Sequence, residues 1–296
     1  MAADLYAAHA LARDRFQQAS EILGFALADV CFQGPESELV QTSRAQPALF
    51  VHSLIVWELW GAARPSFDFV AGHSLGEFSA VTASGALDFE SGLRLVQARA
   101  TAMQHACDRQ PGTMAAITQL PPAKLDALLA EGTKAGLVVA ANYNAEAQIV
   151  ISGEQAAVDR VVKCAGDFGA RRAVALKVGG AFHSPLMEPA RAELKRALDG
   201  MTFRRPSCPV VMNVSALPQT DPDEIRRQLE AQIVSPVKWW QTMRCLGERG
   251  VDWAAEIGSG QVLKGLAKRI LPEAEVVGLS TQADLERMTS PAQAAP

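Results

Sequence analysis

Cysteine is scarce and unpatterned: five residues in 296 (Cys31, Cys107, Cys164, Cys208 and Cys245), odd in number and with no C-x-x-C spacing. This excludes a disulfide framework and a thiolate zinc centre, and it suits free thiols in a reducing compartment. No apolar run approaches the roughly 18 residues that a bilayer-spanning helix needs, and no signal-peptide pattern follows Met1. There is no basic tract and the formal net charge is −4, which argues against nucleic acid as the main partner. Gly258-Ser259-Gly260 lacks a third glycine and a following Lys-Ser/Thr pair, so it is neither a dinucleotide fingerprint nor a phosphate loop. What remains is a chain that is 49% hydrophobic and long enough for one large core or two smaller ones. The expectation is a soluble, cytoplasmic, globular protein.

The chain is organised around Phe67–Ala83, FDFVAGHSLGEFSAVTA. A short apolar run meets Gly72-His73-Ser74-Leu75-Gly76, and Leu75, Phe78 and Val81 then recur at helical spacing. Run, G-x-S-x-G and helix form the layout of a nucleophile elbow, a tight turn that holds a serine Oγ clear of the backbone. Glycines on both sides of Ser74 fit a turn in which neighbouring Cβ atoms would crowd. The helix N-terminus would aim its free N–H groups at whatever Ser74 attacks. A bare G-x-S-x-G arises by chance in roughly one chain in ten of this length, so an ordinary Gly-Ser turn is the competing reading.

Along the chain, residues 2–23 read as one helix, and Pro47 is placed to open a buried helix ending near Trp60. His52 on that helix reads as a packed or capping histidine rather than a ligand. From Asp88 to about Cys107 a helix carries Leu95, Val96, Arg99 and Met103 on one face. An arginine on an apolar stripe calls for an anion. An internal salt bridge, a stem that snorkels to water and a socket for a substrate carboxylate all satisfy it, and spacing does not choose among them. From Gly112 to Gly179 the order β-α-β-β-α-β is the ferredoxin-like arrangement. This predicts an α/β fold with two parts: a large doubly wound, α/β-hydrolase-like catalytic domain (1–111 with 180–296), and a ferredoxin-like small domain (112–179) inserted into it. His183 follows that boundary, either at the mouth of an interdomain cleft or as a solvated loop residue. Lys264, Lys268 and Arg269 form a local basic face on a helix ending at Ile270. After Thr281 the polar, Ala/Pro-rich tail is expected to be disordered.

These residues form an ordered set. It runs through Gln46-Pro47-Ala48, Gly72-His73-Ser74-Leu75-Gly76-Glu77, Arg99 with Met103-Gln104, and Gly112-Thr113-Met114-Ala115-Ala116. It continues with Asn142-Tyr143-Asn144 and Gln148, Gly180-Ala181-Phe182-His183-Ser184, Ser235-Pro236-Val237 with Trp239, and Glu256-Ile257-Gly258. In this order and over nearly the whole chain, the sequence resembles the malonyl-CoA:acyl-carrier-protein transacylases of fatty-acid synthesis and the related acyltransferase domains of polyketide synthases. The resemblance implies transfer of malonyl from malonyl-CoA to the phosphopantetheine thiol of holo acyl carrier protein, by a ping-pong route through a serine ester and with no metal or redox cofactor. It implies Ser74 as nucleophile, His183 as acid and base, and the Gln232 backbone carbonyl in place of a third carboxylate. It further implies the Leu75 N–H as an oxyanion donor and Arg99 as the malonyl clamp. Phe182 implies malonyl over methylmalonyl, and Asn142, Asn144 and Gln148 would line the cleft. Lys264, Lys268, Arg269, Arg171 and Arg172 are candidates for docking an acidic carrier, and a monomer is the default state.

One departure stands out. The family opens with a strand and a G-Q-G-S-Q loop that supplies a second oxyanion donor, whereas Met1-Ala2-Ala3-Asp4-Leu5 aligns just past it. The expectation is a start assigned at an internal methionine, the rival being a chain that is truly short. Two other functions use the same features. A serine esterase or thioesterase would share the elbow, but hydrolases place the elbow after several strands and the histidine late. An impaired, non-catalytic carrier-binding homologue would explain a missing loop, but Ser74, His183 and Arg99 together weigh against it.

Overall fold

The computed structural model describes residues 1–39, 41–61 and 65–289. The expected disorder of the tail after residue 289 lies outside the described residues. Helices dominate the large part of the chain. The buried helix Thr42–Trp60 packs against the helix Phe89–Arg109 and, with Ala10–Leu23 and Glu188–Asp199, encloses the main core of Phe16, Phe50, Ile55, Leu93, Leu95 and Leu194. Pro47 sits inside the first of these helices rather than at its start. The proline forfeits one bond, to the Ser43 carbonyl, near the helix end, so the geometry continues through it. The predicted first helix is two, Ala3–Ala8 and Ala10–Leu23. His9 between them is extended (φ −122°, ψ 131°) and its ring bonds Gln282 Oε1 at 2.5 Å.

Gln282 belongs to the helix Gln282–Thr289, in a segment that the composition had marked for disorder. Asp284 caps the start of this helix, with Oδ2 accepting from the Ser280 and Thr281 N–H groups at 3.0 Å. Leu285 is buried and Met288 packs against the main core. Next to it the strand Glu275–Leu279 pairs in parallel with Trp253–Ile257. A second parallel pair, Val70–Ala71 with Val210–Val211, is extended antiparallel by Pro218–Gln219. The parallel strands expected of the large domain thus fall into two short sheets. Among the described residues no helix is long and apolar enough to cross a membrane.

Residues 113–175 form a four-stranded antiparallel sheet in the order Val138–Ala145, Gln148–Gly153, Thr113–Thr118, Arg172–Ala175. The sequence order β-α-β-β-α-β with this spatial order is the ferredoxin-like topology. Strand alternation divides its faces. Ala115, Ile117, Ile149 and Ile151 join Leu128, Val158 and Val161 in a separate core with the two helices. Met114, Val150 and Ala141 point to the other side, where Phe182 packs on them. The strand leaving and the segment returning to the large part run side by side: a Cβ on Gly112 would lie 2.6 Å from the Ala181 Cβ. Gly180 is likewise held by close packing, with a Cβ there 2.1 Å from Cys107 Sγ, and not by a left-handed turn.

At the end of Val70–Ala71 the chain reverses into the helix Leu75–Ala83. The two glycines around Ser74 are not equivalent. A Cβ on Gly72 would lie 1.9 Å from the Gly76 carbonyl oxygen, whereas a Cβ on Gly76 meets nothing within 4 Å. Only the first glycine is demanded by the turn. Gly72→Ala is therefore expected to destabilise the protein by about 1–3 kcal/mol or more. Gly76→Ala, inside a helix, should be neutral or gain about 0.5–1 kcal/mol. Thermal unfolding of the two variants checks this, and equal melting temperatures would contradict it.

Candidate active site

Ser74 stands at the N-cap of its helix with φ 53° and ψ −108°. A non-glycine residue pays of order 1–3 kcal/mol for such a backbone, which persists only where the surroundings over-determine it. Asn213 does so from the end of the neighbouring strand. Its Oδ1 accepts from the Ser74 N–H at 2.8 Å and its Nδ2 donates to the Gly72 carbonyl at 2.7 Å. Leu75 is the first residue of the helix, so its N–H has no partner within the helix and remains a donor beside the serine.

The Ser74 Oγ lies 2.7 Å from His183 Nε2. His183 is 3% exposed, also with positive φ (57°), and its Nδ1 lies 2.9 Å from the Gln232 carbonyl oxygen. A carbonyl can only accept, so Nδ1 carries the proton and Nε2 offers its lone pair to the serine hydroxyl. Burial, with the nearby Arg99 charge, pushes the imidazole down to about 3. A neutral imidazole with a free Nε2 and a hydroxyl at hydrogen-bond distance are a general base and its nucleophile.

Arg99 comes from the middle of Phe89–Arg109 and is 1% exposed. It has no carboxylate within salt-bridge distance among the described residues. Instead Nη1 donates to Gln46 Oε1 at 2.5 Å, and Nη2 donates at 3.0 Å both to Ser74 Oγ and to Gln232 Oε1. Its Nε is buried without a partner. Burial lowers the guanidinium to about 10, opposed by the charge of Glu77, and it stays cationic at neutral pH. Of the three sequence readings, the internal salt bridge and the stem that snorkels to water are both absent. Nε–H and Nη2 share one edge of the guanidinium, the edge that makes two parallel bonds to a carboxylate.

Beneath these groups lies Glu77, fully buried, with Oε1 accepting from the Asn213 N–H and Oε2 from Gln232 Nε2, both at 2.5 Å. Desolvation raises its carboxyl, opposed by those two bonds and the Arg99 charge, and because each oxygen faces an N–H donor the group stands here as a carboxylate. Sequence reasoning assigned no role to Glu77, Gln46 or Asn213. The first two lay inside quoted motifs, but Asn213 offered no signal at all.

The other expected residues are distributed unevenly. Phe182 bridges the main core and the inner face of the small sheet, next to His183. Asn144 Oδ1 accepts from His73 Nε2 at 2.8 Å, with the His73 ring against Trp239. Asn142 is buried in a strand that bridges to Val237. Gln148 is not brought to the serine; its Oε1 accepts from Arg269 Nη1 at 3.1 Å on the exposed surface. His52 bonds the Ser280 carbonyl at 2.8 Å, as a packed histidine does. Glu256 accepts from the Leu263 and Lys264 N–H groups at 3.0 and 2.7 Å, capping the helix that follows the Gly-Ser-Gly turn. Among the described residues no group of three or more His, Cys, Asp or Glu could hold a metal ion.

Residues 1–284 match the acyl transferase domain family. The chain is 36% identical over 282 residues to the malonyl CoA-acyl carrier protein transacylase of Haemophilus influenzae, covering 95% of this chain and 90% of that protein. It resembles the crystal structure of an acyl carrier protein S-malonyltransferase from Vibrio cholerae with a TM-score of 0.92 at 36% identity, over 97% of this chain and 94% of that one. A further solved relative is PlMCAT:AntF (holo), a type II PKS acyl-carrier protein in complex with its malonyl-transacylase. There the TM-score is 0.93 at 36% identity, over 98% and 94% of the two chains.

The assigned tautomer is open to measurement. In histidine-labelled protein followed by NMR, His183 should keep the neutral Nδ1–H pattern from pH 8 down to pH 5, because its folded pKa lies far below the usual 6.5. Titration near 6.5, or an Nε2–H pattern, would contradict the geometry.

Proposed function

Since the chain belongs to the acyl transferase family, we propose that it transfers a malonyl group from malonyl-CoA to the phosphopantetheine thiol of acyl carrier protein through an ester on Ser74. The observation that carries this reading is Arg99: a buried, cationic fork with an unpartnered Nε and with Nη2 3.0 Å from the nucleophile. An acyl group bonded to Ser74 is close enough to that fork only if its own acid is short, and malonyl is a three-carbon diacid. An acetyl group would leave the guanidinium without an anion, which is costly in a buried site.

The steps follow from the geometry. His183 Nε2 takes the Ser74 proton as Oγ attacks the thioester carbonyl, and the oxyanion forms beside the Leu75 N–H. The carbon–sulfur bond breaks, the thiolate leaves with the proton from His183, and malonyl stays on Oγ. In the second half-reaction His183 deprotonates the carrier thiol, whose sulfur attacks the ester, and Ser74 recovers its proton. One site serves both halves and needs no cofactor. Phe182 at the domain junction narrows the acyl site against a branch at the malonyl carbon, and Asn142 and Asn144 belong to its wall.

Supply of fatty-acid or polyketide synthesis in the cytoplasm is the setting that fits, and the five cysteines are free thiols. The same reading divides the chain at 112 and 179, where the crowded Gly112 and Gly180 join two separately packed cores. Both Ser74 and its clamp come from one chain, so a monomer suffices. The carrier docks on a basic face. Lys268 and Arg269 are exposed, and Arg269 lines a surface groove with Arg244 and Trp240. Arg171 and Arg172 are exposed at the edge of the small sheet.

Intact-protein mass after incubation with malonyl-CoA tests the chemistry. A malonyl-sized adduct is expected on the natural chain, none on Ser74→Ala, and a shift to acetyl loading on Arg99→Ala. A folded natural chain that releases free malonate would support a thioesterase instead, and one that neither loads nor hydrolyses would support a binding module. For docking, Lys268→Glu with Arg269→Glu should raise KM for carrier protein about tenfold or more, with loading from malonyl-CoA unchanged. An unchanged KM would place the docking face elsewhere.

A further inference from the structure

The groups proposed to react all hang on one carboxylate that takes no part in the reaction. We propose that Glu77 is a positioning residue that sets acyl selectivity by fixing the orientation of the Gln232 side-chain amide; this rests on the reading of Arg99 as the carboxylate clamp.

The argument is one of donors and acceptors. Gln232 is fully buried and both polar atoms of its side-chain amide are engaged. Nε2 donates to Glu77 Oε2 at 2.5 Å and to the Ser74 carbonyl at 2.8 Å, while Oε1 accepts from Arg99 Nη2 at 3.0 Å. An amide could occupy the same space turned by 180°, which would aim its NH2 at the guanidinium, donor against donor. Two acceptors on the other side forbid that turn, and Glu77 is the one supplied by a side chain. The backbone carbonyl of the same Gln232 holds His183 Nδ1. The second oxygen of Glu77 takes the Asn213 N–H, and the Asn213 side chain holds the strained elbow at Ser74 N and Gly72 O. One carboxylate thus reaches nucleophile, base and clamp, each through a single intervening residue.

Both partners of Glu77 are N–H donors, so a glutamine at 77 cannot replace it. Its amide has one acceptor, and its NH2 would face either Gln232 Nε2 or the Asn213 N–H. Facing Gln232, it drives the Gln232 amide to turn and points a donor at Arg99. The guanidinium then loses the contact that holds Nη2 beside Ser74. The loss falls on substrates that need the clamp, and an acyl group without a carboxylate is affected little.

The test is the ratio of kcat/KM for malonyl-CoA to that for acetyl-CoA, measured by Ser74 acylation with mass detection in the natural chain, Glu77→Gln, Gln232→Met and the double variant. Glu77→Gln should lower the ratio about 10–100-fold, the range expected when a hydrogen bond to a buried charge is lost. Gln232→Met keeps the backbone carbonyl for His183 and should lower the ratio similarly. The double variant should be no worse than Gln232→Met alone, because the two residues act in series. Should Glu77→Gln not accumulate as folded protein, Glu77→Asp carries the test, with a smaller fall in the same direction. A folded Glu77 variant that slows both substrates equally, or an additive double variant, would overturn the proposal while leaving Ser74 and Arg99 as read. Failure of the natural chain to load malonyl at all would instead overturn the function on which it rests.

Discussion

The structure is built around one unneutralised charge. Arg99 is 1% exposed, and a guanidinium in such a place cannot shed its proton to escape the cost of desolvation. Its direct partners are neutral: two glutamine carbonyls and the serine hydroxyl. These come from three regions far apart in sequence, residues 46, 74 and 232, so satisfying the charge requires the fold to be closed. Two large helices, Thr42–Trp60 and Phe89–Arg109, pack side by side, and that packing brings Gln46 to Arg99. The turn after Val70–Ala71 delivers Ser74, and the helix ending at Gln232 closes the ring. Position and charge are fixed by the same contacts.

What was legible in the sequence follows from how local each signal is. Ser74 could be read because strand end, glycine turn and helix are contiguous, and Arg99 could be flagged because helical spacing put it on an apolar face. Neither signal named a partner. Glu77, two residues beyond Leu75 on the nucleophile helix, looks like any acidic residue in a first turn. Only the return of residues 213 and 232 shows that it is buried. Asn213 follows a two-residue strand and carries no motif of its own. The ferredoxin-like unit was readable because its strands alternate and are adjacent in sequence. The helix Gln282–Thr289 was not, because few apolar residues mark it, and the strand Glu275–Leu279 has an apolar run (Val276, Val277, Leu279) too short to name its partner. Tertiary anchors define them: the parallel neighbour Trp253–Ile257, the Asp284 cap, and contacts of Gln282 with His9 and Asp4.

The glycines show the limit of motif reasoning in finer detail. The G-x-S-x-G pattern treats its two ends alike, yet one glycine lies against backbone and the other faces open space. Gly180, three residues before His183, is likewise fixed by contact, pinned against Cys107. The left-handed backbone in this region belongs to Ser74 and His183 themselves. Strain sits on the two residues that must meet, and it is held there by Asn213, by the Gln232 carbonyl and by the helix that begins at Leu75.

The placement of the nearest buried carboxylate bears on why such a site can exchange an anionic group. A glutamate in direct contact with Arg99 would satisfy the charge more completely, but it would occupy the fork and compete with any incoming carboxylate. With no buried anion nearby, the charge would be costly to hold in place. Glu77 lies between these extremes. It acts on Arg99 through space and through the Gln232 amide, which accepts from the one and donates to the other. The guanidinium is compensated enough to stay buried and charged, while its Nε remains without a protein partner. A neutral amide as the intermediary is what allows both conditions to hold at once, because an acceptor on one side and a donor on the other transmit polarity without adding net charge.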